Sequence, residues 1–254
     1  MMSGFFSNLV TNIRTRRRDR RRRLRPWSYV ADGLAIEGKT AAFLDEPLFK
    51  AAWDLSRAGN SEGWRGKVPD IRWRAHIACW AAAHGARLEG DFVECGVHTG
   101  MLSMTICHFL DFASSGKRFF LFDTFSGIPL ETVEAQELPG AERANRHYFD
   151  CHELARRNFA PFPNAVLVRG ILPQSLLQAP LSRIAYLSVD LNNSGAEKAV
   201  IEALWDRLSP SAMVLIDDYG FTGQETQARM WDAFAASQNR AIASLPTGQG
   251  LLIR

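Results

Sequence analysis

The sequence predicts an α/β fold: a mostly parallel sheet with helices on both faces and an antiparallel edge at the C-terminus. Three observations carry this. Short apolar runs rich in Val, Ile, Leu and Phe alternate with segments of three- and four-residue apolar spacing, as buried strands joined by helical crossovers do. One run ends in a double-glycine turn that opens into a helix, Asp91-Phe-Val-Glu-Cys-Gly-Val-His-Thr-Gly100. Acidic residues stand at or near the ends of four runs, Glu94, Asp123, Asp190 and Asp217, and in an open α/β sheet those ends share one crevice.

The 254 residues suffice for one large domain with a full core. No apolar run is long enough for a membrane-spanning helix. Cys79, Cys95, Cys107 and Cys151 form no CxxC pair and no metal-ligand spacing. Cys79, Cys95 and Cys107 lie in apolar stretches and read as buried free thiols, which fits a cytoplasmic location. The net charge of +3 is unevenly spread: residues 1–25 hold nine arginines and one aspartate, which leaves residues 26–254 near −5. That basic first segment reads as an appendage. Phe5, Phe6, Leu9, Val10 and Ile13 would share a helical face, and Arg14 to Arg25 is almost unbroken positive charge. It suits an anionic membrane surface, nucleic acid or an acidic partner, and a solvated, partly disordered tail equally well.

Residues 26–85 read as an N-terminal helical cover, followed by the main domain over 86–254. Phe43 to Ser56 looks helical despite Pro47, Asn60 to Asp70 is a polar glycine-rich loop, and Ile71 to His84 is a helix stopped by Gly85. Trp73, Ile77, Trp80 and Ala81 form its apolar stripe, with the tryptophans expected in the core.

Phe92, Val93 and Val97 suit a covered strand, and Gly96 and Gly100 allow a tight turn and close ligand approach. From Met101 to about residue 112 the pattern is helical, with Leu102, Ile106, Phe109 and Leu110 in step. Backbone N–H groups then sit at a helix N-terminus beside the crevice. The spacing Glu94-x-Gly96-x-x-x-Gly100 is not the GxGxxG of dinucleotide binders. A diphosphate would meet like charge at Glu94. A cationic or hydroxyl-rich group, such as the amino acid end of S-adenosylmethionine, would not.

Lys117 to Asp123 is the second strand, and Asp123 at its tip is placed to accept ribose hydroxyls, with a structural Asp as the alternative. Thr124 to Asp150 has no clear period and reads as a long mobile lid. Phe149 to Phe159 is a short helix, Asn164 to Gly170 the third strand, and Arg183 to Asp190 the fourth. Ser194 to Leu208 is a helix with Ala196, Val200, Leu204 and Leu208 four apart. Ala212 to Asp218 is the fifth strand. Gly223 to Gln238 is the last helix, with Met230, Trp231 and Phe234 on one side. Arg240 to Leu245 and Gly250 to Arg254 flank Pro-Thr-Gly as a closing hairpin. Asp190, Asp217 and Asp218 converge in this arrangement. Clustered carboxylates repel unless protonated or bridged by a cation, and Mg²⁺ prefers oxygen ligands, so a divalent-metal site is expected there.

The set FVECGVHTG (92–100), LFDTFSGIP (121–129), ILPQSL (171–176), AYLSVD (185–190) and LSPSAMVLIDDYG (208–220) resembles the macrocin O-methyltransferase family. Those enzymes are class I, Rossmann-like, S-adenosylmethionine-dependent sugar O-methyltransferases of secondary metabolism. The resemblance runs over about residues 71–254 and implies a seven-stranded sheet and a hydroxylated small-molecule acceptor. It implies cofactor contacts at Glu94, Gly96, Gly100, Ser103 and Asp123, with Val97 and Gly170 beside them, and Mg²⁺ on Asp190, Asp217 and Asp218. A homo-oligomer stays open. The chain departs from the family at His98-Thr99-Gly100-Met101, at Ile171, and at Asn192, which stands where the family has the second Asp of Asp-x-Asp, the residue resembling a general base. Asn192 cannot take a proton at neutral pH. Asp190 with a metal ion, or His98, is left for that task. A drifted, non-catalytic scaffold is the second reading. A nicotinamide oxidoreductase is the third, and the glycine spacing and Glu94 weigh against it.

Overall fold

The computed structural model describes residues 27–254, so expectations for residues 1–25 lie outside the described residues. Two compact units divide between Ala42 and Phe43. In the first, β1 (Tyr29–Ala31) and β2 (Leu34–Ile36) form an antiparallel hairpin, a strand pair within the segment expected as part of a helical cover.

A 3₁₀ turn over Ala42–Asp45 precedes α1 (Pro47–Asn60). The helix expected from Phe43 is interrupted at Glu46, with the 3₁₀ turn before it and the α-helix after it. Pro47 lacks an N–H and fits the first turn, and the Glu46 carboxylate caps the helix by accepting from the N–H groups of Leu48 and Phe49 at 3.3 and 2.7 Å. Next comes α2 (Arg72–Gly85). Trp80 on it is 52% exposed, so it is a surface residue and not core. Both helices belong to the same compact unit as the sheet.

The sheet follows as β3 (Asp91–Cys95), α3 (Met101–Phe109), β4 (Phe119–Asp123), α4 (Leu138–Asn145), α5 (His152–Phe159), β5 (Ala165–Arg169), β6 (Ile184–Val189), α6 (Ser194–Leu204), β7 (Leu208–Ile216), α7 (Glu225–Ser237), β8 (Ala243–Ser244) and β9 (Gly250–Ile253). Strand order is β5-β4-β3-β6-β7-β9-β8, with β5 to β7 parallel and β9 antiparallel to both neighbours. The expected architecture is present. The 124–150 insert is less irregular than expected, since it carries α4. β7 starts four residues early, and the helix after β6 ends at Leu204 in a tighter turn over Trp205–Arg207.

Side chains alternate across the pleat and fill two cores. Phe92, Phe119, Leu121, Tyr186 and Leu215 face α1, α2, α3 and α5. Val93, Phe120, Phe122, Leu187, Val189 and Val214 face α6 and α7. All four cysteines are buried and unpaired. Among the described residues no helix is long and apolar enough to cross a membrane.

The chain leaves β3 towards β4 and β5 on one side, then returns to β6 on the other. That reversal opens a crevice beyond the C-terminal ends of β3 and β6, the usual ligand position in this architecture.

Candidate active site

A cavity of about 210 Å³ lies at this switch point. Glu94, Gly96, Val97, His98, Asp123, Gly170, Asp190 and Asp217 line it. Gly100 and Ser103, expected to touch a ligand, do not reach it. Gly100, at φ +90°, starts α3 with its Cα against the Phe159 ring, and Ser103 is buried beside Glu94. Gly96 sits at φ +91°, and a Cβ there would lie 1.7 Å from the Asp190 carbonyl oxygen, so only glycine lets the β3 and β6 loops meet.

Glu94 is 4% exposed, and one of its carboxylate oxygens has no hydrogen-bond partner. Burial pushes its carboxyl up to about 8. The nearby Ser103 hydroxyl opposes the rise, and Asp217 and Asp123 add to it. A buried, unpartnered acid lining a cavity is a binding group waiting for a donor.

Asp123 has a structural task. One oxygen accepts from the N–H groups of Val97 and His98 at 2.6 and 2.7 Å, and the other from Phe125 N–H at 2.6 Å. It ties the glycine loop to the strand-two tip. His98, Phe125 and Asn192 all line the cavity with φ between +51° and +57°, a concentration of backbone strain of the kind found at binding sites.

His98 is boxed by Trp64, Tyr148 and Phe149, with ring centroids 5.4–5.8 Å away. Burial lowers its pKa against the pull of Asp123, so the ring is neutral at neutral pH, and its Nε2 is buried without a partner.

Asp190, Asp217 and Asp218 each offer a carboxylate oxygen within 4.8 Å of the others. Burial first, then Asp217 and Asp218, raise Asp190 well above the usual carboxylate range, and Arg74 opposes them. Asn192 donates its amide to Asp190 Oδ1 at 2.9 Å. Behind this loop lies Glu197, which accepts from Leu191 N–H, Gln227 Nε2 and Trp231 Nε1 at 3.3, 2.7 and 2.7 Å. This network fixes the turn that carries Asp190.

Sequence reasoning missed Arg74, Trp64 and Tyr148. Arg74 reaches Asp217 Oδ2 at 2.5 Å from α2. Trp64 comes from the polar loop, where a lone aromatic was the available signal. Tyr148 comes from the insert, and burial followed by Asp190, Asp218 and Asp123 raises its hydroxyl pKa.

The chain is 27% identical over 140 residues to the 8-demethyl-8-(2,3-dimethoxy-α-L-rhamnosyl)-tetracenomycin-C 4′-O-methyltransferase of Streptomyces olivaceus. That match covers 52% of this chain and spans about half (54%) of the relative. The O-methyltransferase NovP superposes with a TM-score of 0.62 at 22% identity, over 71% of this chain and 79% of NovP. A Bacillus cereus O-methyltransferase solved with SAH superposes at 0.55 and 13% identity, over 79% and 91%. The macrocin O-methyltransferase (TylF) family profile matches residues 69–243. That span holds every strand from β3 to β7, the glycine loop and the three aspartates, and so the chain belongs to the macrocin O-methyltransferase family.

Proposed function

We propose that the chain transfers a methyl group from S-adenosylmethionine to a hydroxyl of a sugar borne by a small molecule, assisted by Mg²⁺. The carrying observation is Glu94, whose buried, unpartnered oxygen in the cavity at the switch point fits the cofactor's ammonium. Family membership and the S. olivaceus relative, whose name specifies a rhamnosyl acceptor, support the acceptor class.

The donor set fits a small hard cation. Three carboxylates that each place an oxygen within 4.8 Å of the others are the hard oxygen donors such an ion takes. Asp190, Asp217 and Asp218 would hold the ion. Its charge would lower the pKa of the acceptor hydroxyl. S-Adenosylmethionine, held at Glu94 and the glycine loop, would supply an activated methyl group to the acceptor hydroxyl oxygen, its C–S bond breaking to leave a neutral thioether. In-line alignment in a closed cavity supplies most of the rate. The hydroxyl proton goes to Asp190, with His98 the second candidate, because Asn192 cannot take it. His98→Asn is expected to leave kcat within about tenfold, where removal of a true general base costs about 10²–10⁴. A larger fall would move the base to His98.

The deciding experiment is calorimetric titration of S-adenosylhomocysteine with Mg²⁺ and with a chelator, followed by mass spectrometry of rhamnosylated acceptors incubated with S-adenosylmethionine. Binding together with the mass gain of one methyl group on the sugar supports the reading. No binding in either buffer would favour the drifted scaffold.

A further inference from the structure

The acidic cluster is not without a positive charge. Arg74 contacts Asp217 Oδ2 at 2.5 Å, and the two side chains are 16% and 3% exposed. Gln249 Nε2 donates to the other oxygen of Asp217 at 3.0 Å, and is itself held by Thr247 Oγ1. The guanidinium also lies over the Phe221 ring, 5.4 Å from its centroid. Arg74 therefore has a defined seat that includes a carboxylate oxygen and an aromatic face. It is also the cation that opposes the three-acid repulsion at Asp190. The pairing is long-range, 143 residues apart in sequence, and it brings α2 onto the end of β7.

A guanidinium and a divalent cation on one buried carboxylate repel each other. Both satisfy the same charge, and the low-dielectric setting strengthens both attraction and conflict. We propose that Arg74 is a built-in competitor for the metal site: it neutralises the Asp190–Asp217–Asp218 cluster in the metal-free protein and must yield Asp217 when the ion enters. The proposal rests on the metal reading above. It makes the site weaker than three carboxylates imply, and it makes the metal-free fold independent of the ion. Arginine suits this role better than lysine. Its charge is permanent, its planar group stacks on Phe221, and it is weakly hydrated.

The test is Mn²⁺ binding, read by electron paramagnetic resonance of the free ion, together with Tm in chelator and in saturating Mn²⁺. The proteins are wild type, Arg74→Gln and Arg74→Lys, with circular dichroism as the check on folding. Arg74→Gln is expected to bind Mn²⁺ at least about tenfold more tightly than wild type. It should also have a lower Tm in chelator and a larger Tm gain with the metal. Arg74→Lys keeps a charge but loses the planar stack, and should fall between the two. Equal Mn²⁺ affinity in wild type and both variants would overturn the proposal and leave the metal reading standing, because Arg74 and the ion would then share Asp217. Weaker binding in Arg74→Gln would also overturn it, making Arg74 an organiser of the site. No Mn²⁺ binding in any of the three proteins would remove the metal reading itself. Should Arg74→Gln fail to fold, Arg74→Lys carries the comparison alone.

Discussion

Replacing Glu94 by Gln is expected to weaken S-adenosylhomocysteine binding about a hundredfold while making the ligand-free protein more stable. The two effects have one cause. Glu94 stands on β3, buried, with an unpartnered oxygen. A charge-assisted hydrogen bond from the ligand's ammonium contributes about 1.5–3 kcal/mol, and the neutral amide of Gln forfeits it. Without ligand the carboxylate is a burden. Its folded pKa is raised to about 8 from 4.5, so the folded chain holds a proton that the unfolded chain gives up. For an acid shifted upward, stability falls as pH rises from about 4.5 to about 8, by about 1.4 kcal/mol per unit. At pH 7 the burden is about 3 kcal/mol as an upper bound, since the native site relaxes on ionisation. The glutamine variant carries no such burden. Urea unfolding of both proteins without ligand at pH 5, 7 and 9 should show a gap that is small at pH 5 and widens with pH. A gap independent of pH would mean that Glu94 ionises freely and is not the buried group its surroundings make it. The affinity of the wild type should rise towards pH 8 as Glu94 loses its proton, and that of the variant should stay flat.

The strands and their acidic ends were readable because their determinants are local. Phe92 to Cys95, Phe119 to Asp123 and Ile184 to Val189 place apolar side chains on both faces of the pleat, and the glycines at 96 and 100 follow from the turn between strand and helix. The convergence of Asp190 with Asp217 and Asp218 followed from topology, since parallel neighbours end on the same edge. What escaped depends on distant partners. Arg74 sits in Arg72-Trp-Arg-Ala and looks like any surface base until Asp217 is brought to it. Trp80 looks apolar enough for a core, but the turn of α2 points it outward. Tyr148 joins the cavity from a segment whose apolar spacing gives no period, because α4 has just eight residues and Ala141 as its buried residue. The hairpin of β1 and β2 has strands of three residues, too short for alternation to show. Asp123 was legible as a site residue, but the backbone groups it holds were not. Hydrogen bonds to the main chain of a loop 25 residues away leave no trace in residue type.

That difference at Asp123 leads to the second large effect. Asp123→Ala is expected to destabilise the ligand-free protein by about 3–5 kcal/mol and to abolish S-adenosylhomocysteine binding. The substitution strips acceptors from three backbone N–H groups, those of Val97, His98 and Phe125. Each partly buried donor left unpaired costs about 1–3 kcal/mol. The two loops they belong to are already strained: His98 and Phe125 have positive φ, and a non-glycine residue in that region costs about 1–2 kcal/mol relative to its relaxed backbone. With the carboxylate gone, His98 and Phe125 would relax and take the Glu94 side of the cavity with them. Asp123→Asn separates the possible roles. Its one carbonyl oxygen can still serve Val97 and His98, but its NH₂ then faces the Phe125 N–H, donor against donor. It should lose about half as much stability as the alanine variant and retain weak binding. If Asp123 acted solely by accepting ribose hydroxyls, both variants would unfold in urea as wild type does, and the change would appear in affinity alone. Unfolding midpoints and ligand titration on the same three proteins therefore distinguish a clamp on the glycine loop from a contact to the ligand.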